Sequence, residues 1–380
     1  MAVTIEQLPS YEYKLSGNPL VFVFSSNQTA QPNFSYYVEV YIDAVLNSSH
    51  QVFPESGIYG KFDASQIVES ELTAPNIPTD INGVSGGALL CELKVYERYG
   101  TIPALQASEL TGTISCIKGK LFMNDWINTD LDIYTVLNNG GGFLTQCPEF
   151  YLREGELLNY YFTVDSYSSG YDISLTYKDS SGSTLNTQLI SNSGYLLNAF
   201  SVGWDILDGY YSLDSVSTVE VFIENIDSVY SETYVINILR CSVVDKERLH
   251  FLNQLGGIDA FTFDAVSKKS MTTQTNSFLT TQGGFNGSGY DYSTTNSQTG
   301  NYQVTSNTKL MLESNWVNED IMQWLNDNLF TSPYILLETE NGLQRVANTS
   351  ASVKYKKNRN DMAFNVVIEL DLEMHSSMII

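Results

Sequence analysis

The chain has 380 residues, of which 43% are hydrophobic, 12% aromatic and 16% charged. Its 43 acidic and 19 basic side chains give a net charge of −24, which argues against sequence-specific nucleic-acid binding and against direct DNA binding over most of the surface, because such binding needs basic surface. An acidic wall is still compatible with DNA that slides past without binding. The N-terminus predicts no signal peptide, and no apolar stretch is long enough to predict membrane insertion. We therefore expect a protein that is made in a cytoplasm and stays soluble.

Residues 1–113 are predicted to form a first β-sandwich. One strand is expected from Phe34 to Leu46 and another within Gly87–Gly100. Their alternating apolar residues would share one face each: Tyr36, Val38, Val40 and Ile42 in the first, and Leu89, Cys91, Leu93 and Val95 in the second. The stretch Leu72–Gly87 contains two Pro and three Gly, which predicts a long surface loop.

Residues 114–240 are predicted to form a second, tandem β-sandwich. Short candidate strands recur at regular spacing with Gly and Ser turns between them, a pattern typical of sandwiches rather than of βαβ units. The candidates are TISCIKGKLF, FLTQCPEFYLREGELLNYYFTVD, YDISLTYKD, TLNTQLISN and TVEVFIENI. The runs LNYYFTVD and DISLTYKD are expected to be joined as a hairpin.

Residues 241–380 are predicted to form a C-terminal β-rich domain with one packed α-helix at 318–330. Asn318 can cap this helix, and Glu319 and Asp320 in its first turn suit the helix dipole. Four apolar residues form a single stripe along it. They are Ile321, Trp324, Leu325 and Leu329.

The end of the chain predicts one long strand from Phe364 to Met374. Its apolar face would comprise Phe364, Val366, Ile368, Leu370, Leu372 and Met374. Asn365, Glu369, Asp371 and Glu373 would lie on the opposite face. The strand is expected to pair with Ser350–Lys356 across the polar turn Lys357–Asp361 and to pack on the helix.

The segment Arg248–Ser270 predicts a β-hairpin whose turn is made by Gly256 and Gly257 with positive φ. The pair of glycines lacks the lysine of a P-loop and the GxGxxG spacing of a dinucleotide site. The sequence therefore favours a turn over a phosphate-binding loop.

At this hairpin, FLNQLGGIDAFTF resembles the FLN-LGG-D signature of a structural protein family from tailed phages and prophages of Bacteroidetes, including crAss-like phages. SYEYKLSGNPLVFVFSS, FSYYVEVYID, GGFLTQCPEFYLREGELLNYYF, TKLMLESNWVNEDIMQWLNDNLFTSPYILLE and SASVKYKKNRNDMAFNVVIELDLE resemble other stretches of that family in the same order. The resemblance implies a tail-tube-like or hub-like third domain. It also implies a bacteriophage virion structural protein that forms a ring in the tail, tail hub or neck and contributes to tail assembly and the DNA-ejection conduit.

This sequence departs from the family in a longer insertion between Thr273 and Thr305, rich in Gly, Ser, Thr, Asn and Gln. The insertion could be a hairpin that lines a tube or an exposed loop. Its place in a ring is left open.

Candidate sites of chemistry are sparse, and we expect no enzyme, no catalytic residues, no metal and no cofactor. His50, His250 and His375 have no neighbours at metal-ligand spacing, and the four cysteines form no CxxC pair. No GxSxG motif is present. The cysteines are expected to be free thiols, and the four tryptophans core or interface residues. An enzyme that uses two carboxylates stays an open alternative.

A basic cluster near the C-terminus is the candidate inter-subunit contact. It comprises Lys354, Lys356, Lys357 and Arg359. These residues either form a solvated hairpin tip or meet the acidic surface of a neighbouring subunit. The partners expected are copies of the chain itself in a ring and other tail, hub, portal-adaptor or ring proteins of the virion. The alternative function is a carbohydrate- or receptor-binding tandem β-sandwich adhesin, which exposed Trp and Tyr lining a groove would indicate.

Overall fold

The computed structural model describes residues 3–9, 13–55, 57–128, 141–163, 170–192, 197–225, 231–240, 246–279, 281, 283–292, 299–349, 363–372 and 376–379. The chain is mainly β, as predicted, and divides into two compact units. Unit 1 comprises Met1–Ser242 and Leu252–Ala260, and unit 2 comprises Val243–Phe251 and Phe261–Ile380. Among the described residues, no helix combines the length and the apolar character needed to cross a bilayer.

The first sandwich of unit 1 has two sheets and two short helices. Its elements are β1 Val3–Gln7, β2 Tyr13–Leu15, β3 Val21–Ser26, β4 Ser35–Ile42, β5 Val45–Val52, β6 Tyr59–Asp63, α1 Ser65–Glu71, β7 Val84–Ser85, β8 Ala88–Tyr99, β9 Ala104–Ile117 and α2 Met123–Asn128. The sheet orders are β1-β3-β6 and β2-β9-β8-β4-β5. β7 lies in this part of the chain but pairs with a strand of the second sandwich.

The predicted alternation of β4 and β8 is confirmed, because their apolar faces are buried in one core together with Phe22 and Phe24 of β3. Two bounds differ from the expectation. The strand expected to reach Leu46 turns back at Asp43 and Ala44, whose positive φ angles make the tight β4–β5 turn. β9 pairs with β8 as far as Ile117, which carries the first sheet four residues beyond the expected boundary at 113.

The segment Leu72–Gly87 is not the surface loop that its prolines and glycines predicted. Leu72 is buried in the first core, whereas Ile81 is buried in the core of the second sandwich. β7, at the end of this segment, pairs with Asn198 and Ala199. Contacts with residues that are distant in sequence therefore hold this Pro-rich segment against both cores of unit 1.

The second sandwich has a five-stranded and a three-stranded sheet. Its elements are β10 Phe150–Arg153, β11 Leu157–Thr163, β12 Tyr171–Lys178, β13 Thr184–Asn192, β14 Leu197–Gly203, α3 Trp204–Tyr210, a 3-10 turn at Leu213–Ser215, β15 Thr218–Asn225 and β16 Tyr234–Leu239. The sheet orders are β10-β16-β15-β12-β13 and β11-β14-β7. An aromatic core that includes Phe143, Tyr160 and Phe200 lies between them.

The hairpin expected between LNYYFTVD and DISLTYKD is wrong. β11 pairs with β14, and β12 pairs with β13 and β15, so the two runs lie in different sheets. β14 was not among the candidate strands because all its residues are buried, so its sequence lacks the alternation of a half-buried strand. β16 was also missed.

The turn of the FLNQLGGID segment belongs to unit 1, where Asn253 organises it. The Asn253 Oδ1 accepts from the backbone N–H of Leu255 at 3.0 Å and of Gly257 at 2.9 Å. Its Nδ2 donates to the carbonyl of Leu144 at 2.7 Å. Gly256 has the predicted positive φ of 93°. Gly257 does not have a positive φ, but a Cβ at this position would collide with the backbone carbonyl oxygen of Leu144. The motif is a structural turn.

Unit 2 is built on one large sheet. The elements that follow in the chain are β17 Glu247–Leu252, β18 Ile258–Phe263, β19 Val266–Leu279, β20 Gly284–Phe285, β21 Tyr290–Asp291, β22 Thr299–Glu313, α4 Glu319–Asn328, β23 Ile335–Thr339, β24 Gly342–Asn348, β25 Val367–Asp371 and β26 Ser376–Ile379. The sheet order is β18-β17-β23-β24-β25-β22-β19, with β26 also paired to β22. The turn of the β17–β18 hairpin lies in unit 1.

The predicted helix is present as α4 and ends at Asn328, two residues earlier than expected. The Asn318 cap is confirmed, because its Oδ1 accepts from the Ile321 N–H at 2.8 Å. All four residues of the apolar stripe are buried, and the Trp324 ring lies 5.5 Å from the ring of Phe251. The expected contact between this stripe and the C-terminal strand stays a prediction.

The C-terminal strand is shorter than predicted, since β25 spans only Val367–Asp371. The inward face is confirmed from Val366 to Leu372, and Glu369 is exposed on the other side. β25 lies between β22 and β24. The expected partner, Ser350–Lys356, and the turn 357–361 lie outside the described residues.

Candidate assembly surface

A long β-hairpin of unit 2, here called the arm, is made of β19, β22 and the described residues between them. β19 has 14 residues and pairs antiparallel with β22 from Val266↔Glu313 to Leu279↔Thr299. At roughly 3.3 Å per residue β19 extends about 46 Å. Every residue of β19 is exposed, so this strand contributes no buried side chain to the core of its own chain.

The arm follows from its composition. Thr is frequent in both strands, with three residues in each, and β-branched side chains favour extended backbone. Between the strands, Asn286 Oδ1 accepts from the N–H groups of Ser288 and Gly289, which closes the small β20–β21 turn. The described residues of the predicted insertion 273–305 therefore belong to this hairpin. A tube-lining role for it stays a prediction.

The far end of the arm, here called the tip, concentrates exposed apolar and aromatic side chains. They are Phe278, Leu279, Phe285, Tyr290, Tyr292 and Tyr302, of which Leu279 is 86% exposed and Phe285 and Tyr292 are each 72% exposed. Phe278 lies over Gly300 of the paired strand, and Tyr290 and Tyr292 contact each other edge to face at 5.1 Å. Exposed aromatic clusters of this kind are typical of interaction sites.

The arm also differs electrostatically from the rest of the chain. From Ser270 to Thr308 the one charged residue is Asp291, although the whole chain carries −24. Lys268, Lys269 and Lys309 lie at the base of the arm. This stretch with a single charge was the available signal in the sequence for the surface.

The residues predicted for the inter-subunit contact cannot be placed on this surface. Lys354, Lys356, Lys357 and Arg359 all lie outside the described residues, and their role stays a prediction. Arg345, which is near them in sequence, lies on β24 with its guanidinium carbon 5.1 Å from the centre of the Tyr334 ring.

The other singled-out residues are dispersed over the two units. Trp324 is a core residue, Trp126 and Trp204 are half-buried, and Trp316 is 72% exposed. Cys91 and Cys116 are buried free thiols as predicted, and burial raises the pKa of Cys91 to about 12. His375 and Cys241 lie outside the described residues. Within the described ranges, no three His, Cys, Asp or Glu side chains are grouped to hold a metal ion.

One polar cluster in unit 2, in which two basic side chains are buried and the carboxylate of Glu338 is exposed, was not predicted. Arg248 and His250 on β17 are almost fully buried, and Thr262 on β18 lies near them. The Arg248 Nη1 donates to Thr262 Oγ1 at 2.6 Å, and His250 Nε2 lies 3.3 Å from Glu338 Oε2 on β23. Burial lowers the pKa of His250, and the hydrogen bond from His250 lowers the pKa of Glu338. The cluster pairs an arginine, a histidine and a carboxylate across three adjacent strands.

This cluster predicts that acid destabilises unit 2. Because the folded-state pKa of His250 lies below its ordinary value of 6.5, the unfolded chain takes up the proton first as the pH falls. The stability that neutral His250 contributes is present above pH 6.5 and is lost below it. The lowered pKa of Glu338 extends the loss below that residue's ordinary value of 4.5.

His250→Gln is expected to make the stability of unit 2 less dependent on pH between neutral pH and the range in which carboxylates titrate. Hydrogen exchange of β17 and β23, followed as a function of pH, measures this. The matched control is His50→Gln on β5 in unit 1. An unchanged pH profile in His250→Gln would contradict the assignment.

Comparisons with known proteins give little beyond fold. No family model matches the chain, and no curated protein matches it. Among solved structures, it is similar to fibronectin(III)-like modules of Clostridium thermocellum CbhA, with 12% identity, a TM-score of 0.16, and 63% of this chain and 93% of that chain covered. A chimeric titin Z1Z2 has 13% identity, a TM-score of 0.17, and coverage of 63% and 97%.

The alpha-2-macroglobulin of E. coli has 6% identity and a TM-score of 0.23, and the comparison covers 100% of this chain and 32% of that chain. Identities and TM-scores this low carry no argument about function. The all-β class rests on the strands described above.

Proposed function

We propose that this chain is a structural protein of a tailed-bacteriophage virion that assembles into a ring in the tail, tail hub or neck. In this role it contributes to tail assembly and to the conduit for DNA ejection. Its partners are copies of itself and neighbouring tail, hub, portal-adaptor or ring proteins. The virion is therefore its place of action.

The observation that carries an assembly role is the exposed arm. β19 is an edge strand of the large sheet, paired on one side with β22, and all of its residues are exposed in the isolated chain. The aromatic tip offers side chains that anchor interfaces when they enter a neighbour's pocket. The resemblance of FLNQLGGIDAFTF to the phage family supplies the virion context.

Electron cryo-microscopy of the particle that contains this chain tests the proposal. We expect a closed ring of copies in the tail, hub or neck, with the arm in contact with a neighbouring subunit. Isolated spikes without contact between copies would overturn the ring.

A tip variant tests the arm's part in assembly. Phe285→Ser with Tyr292→Ser removes two exposed anchors and is expected to reduce the yield of assembled particles or rings, as counted in electron micrographs. The control is Ile102→Ser with Leu105→Ser, two exposed apolar residues, 87% and 52% exposed, beside the β8–β9 turn. Equal assembly of the tip and control variants would contradict a role for the tip.

The second candidate is a carbohydrate- or receptor-binding adhesin, which the exposed Tyr290, Tyr292 and Phe285 favour, since aromatic faces can stack on sugars. Glycan binding that the tip variant abolishes, in a particle without rings of this chain, would support the adhesin instead.

A further inference from the structure

We propose that β19 is a docking edge for a second copy of this chain, and that two copies pair their β19 strands antiparallel. The large sheet of unit 2 would then continue from one copy into the other. This contact concerns the free edge of β19, and it stands whether or not the chain belongs to a virion.

The first support is the position of β19 in its sheet. It is the last strand in the sheet order and pairs on one side with β22, and all 14 of its residues are exposed. The backbone groups along its other side therefore have no strand partner among the described residues. Such a row of N–H and C=O groups is a template for adding another strand.

The second support is the absence of the features that normally protect an edge. Exposed edge strands usually carry charges or proline that prevent pairing with another chain. Between Ser270 and Leu279 the edge has no charged residue and no proline. One irregularity in its pairing with β22 lies between Asn276 and Ser277, so Ser270–Asn276 keeps a regular register.

Charge identifies the occupant as a second copy. Two chains of net charge −24 repel each other over most of their surfaces. Along the arm this repulsion is small, because Asp291 is the one charge from Ser270 to Thr308. An identical edge also supplies the same uncharged polar side chains, mainly Thr, Ser, Gln and Asn, from the other side.

The lysines at the base of the arm favour antiparallel over parallel pairing of the two β19 strands. A parallel, in-register pair would place Lys268 and Lys269 directly against their own copies, and like charges opposite each other destabilise a sheet. An antiparallel pair centred between Ser270 and Leu279 places the two lysine pairs at opposite ends. Such a contact is isologous, so it has a two-fold axis and joins copies in pairs.

A single-cysteine scan tests this geometry on the full chain in a Cys147→Ser, Cys241→Ser background. Thr272→Cys, Thr273→Cys, Gln274→Cys and Thr275→Cys are made one at a time and oxidised, and the dimer is measured on non-reducing gels. In an antiparallel pair a residue meets its own copy only near the two-fold axis. We therefore expect strong cross-linking at one position or two close positions, well above Leu189→Cys on β13, an exposed edge strand of unit 1.

Comparable cross-linking at every β19 position would overturn the antiparallel arrangement, since it indicates a parallel pair or non-specific aggregation. Cross-linking no stronger than that of Leu189→Cys at all four positions would overturn the β19 contact itself.

A charge variant gives an independent measurement by light scattering. Thr273→Lys with Thr275→Lys adds charges on one face of β19, which would face like charges across the shared edge, and is expected to halve the mass of the assembled species. The matched control, Thr187→Lys with Ser191→Lys on β13, should keep the mass of the unmodified chain. A monomeric unmodified chain, or a mass unaffected by the β19 lysines, would overturn the proposal. If particles contain β19 pairs but no rings of this chain, the ring proposal fails and the β19 contact stands.

Discussion

Gly256→Ala is expected to lower the free energy of unfolding of unit 1 by about 3 kcal/mol or more. Gly256 has φ of 93°, a conformation that side chains other than glycine rarely adopt. An added Cβ would also collide with the backbone carbonyl oxygen of Lys118, which cannot rotate away as a side-chain end can. The substitution therefore combines backbone strain with displacement of the turn.

Gly182→Ala separates these two effects. Gly182 has φ of 81° in the β12–β13 turn, and a Cβ there would meet nothing within 4 Å. It should cost only the conformational part, about 1–2 kcal/mol. Denaturant unfolding together with hydrogen exchange of unit 1 measures both variants. Equal losses in the two variants would show that the turn at Gly256 is not held tightly by its surroundings.

Asn253→Ala tests the same turn by removing the side chain that holds it. It removes the acceptor of two backbone N–H groups and the donor to Leu144, and all of these groups are buried. Its loss is expected to resemble that of Gly256→Ala, because the two residues fix one turn. The losses should be less than additive when the substitutions are combined.

Leu370→Ala is expected to destabilise unit 2 by about 2–5 kcal/mol. Leu370 is fully buried on β25 and pairs with Leu310 of β22, which is also buried. Truncation leaves a cavity beneath strands that are held on both sides, so the site cannot collapse easily. Hydrogen exchange of β22 and β25 should accelerate accordingly.

Val367→Ala is the control on the same strand, because Val367 is 46% exposed on the opposite face. Surface substitutions of this kind usually change stability by about 0.5 kcal/mol or less. A loss at Val367 as large as that at Leu370 would mean that the face assignment of β25 is wrong. It would also undermine the sheet order of unit 2 that places β25 between β22 and β24.

The sequence indicated some parts of the candidate site and could not indicate others. The basic cluster Lys354–Arg359 was visible as a charge pattern, but its placement lies outside the described residues. The arm was recognised only as an insertion, because its low charge and frequent Thr suit an exposed strand but do not show which strand it pairs with. The contact between buried His250 and exposed Glu338 joins strands distant in sequence, and no local pattern predicts such a contact.

The sequence by itself determined the elements whose burial repeats locally. Alternation in β4, β8 and β25 identified the buried faces, and the Asn318 cap with its apolar stripe identified α4, because these patterns depend on neighbours within a few residues. Only the tertiary structure decided which strands pair. β14 is buried on both faces and shows no alternation, and the Pro-rich segment Leu72–Gly87 is packed by residues far along the chain. The exposed edge of β19 likewise follows from its position in the sheet, which long-range pairing sets and local periodicity does not record.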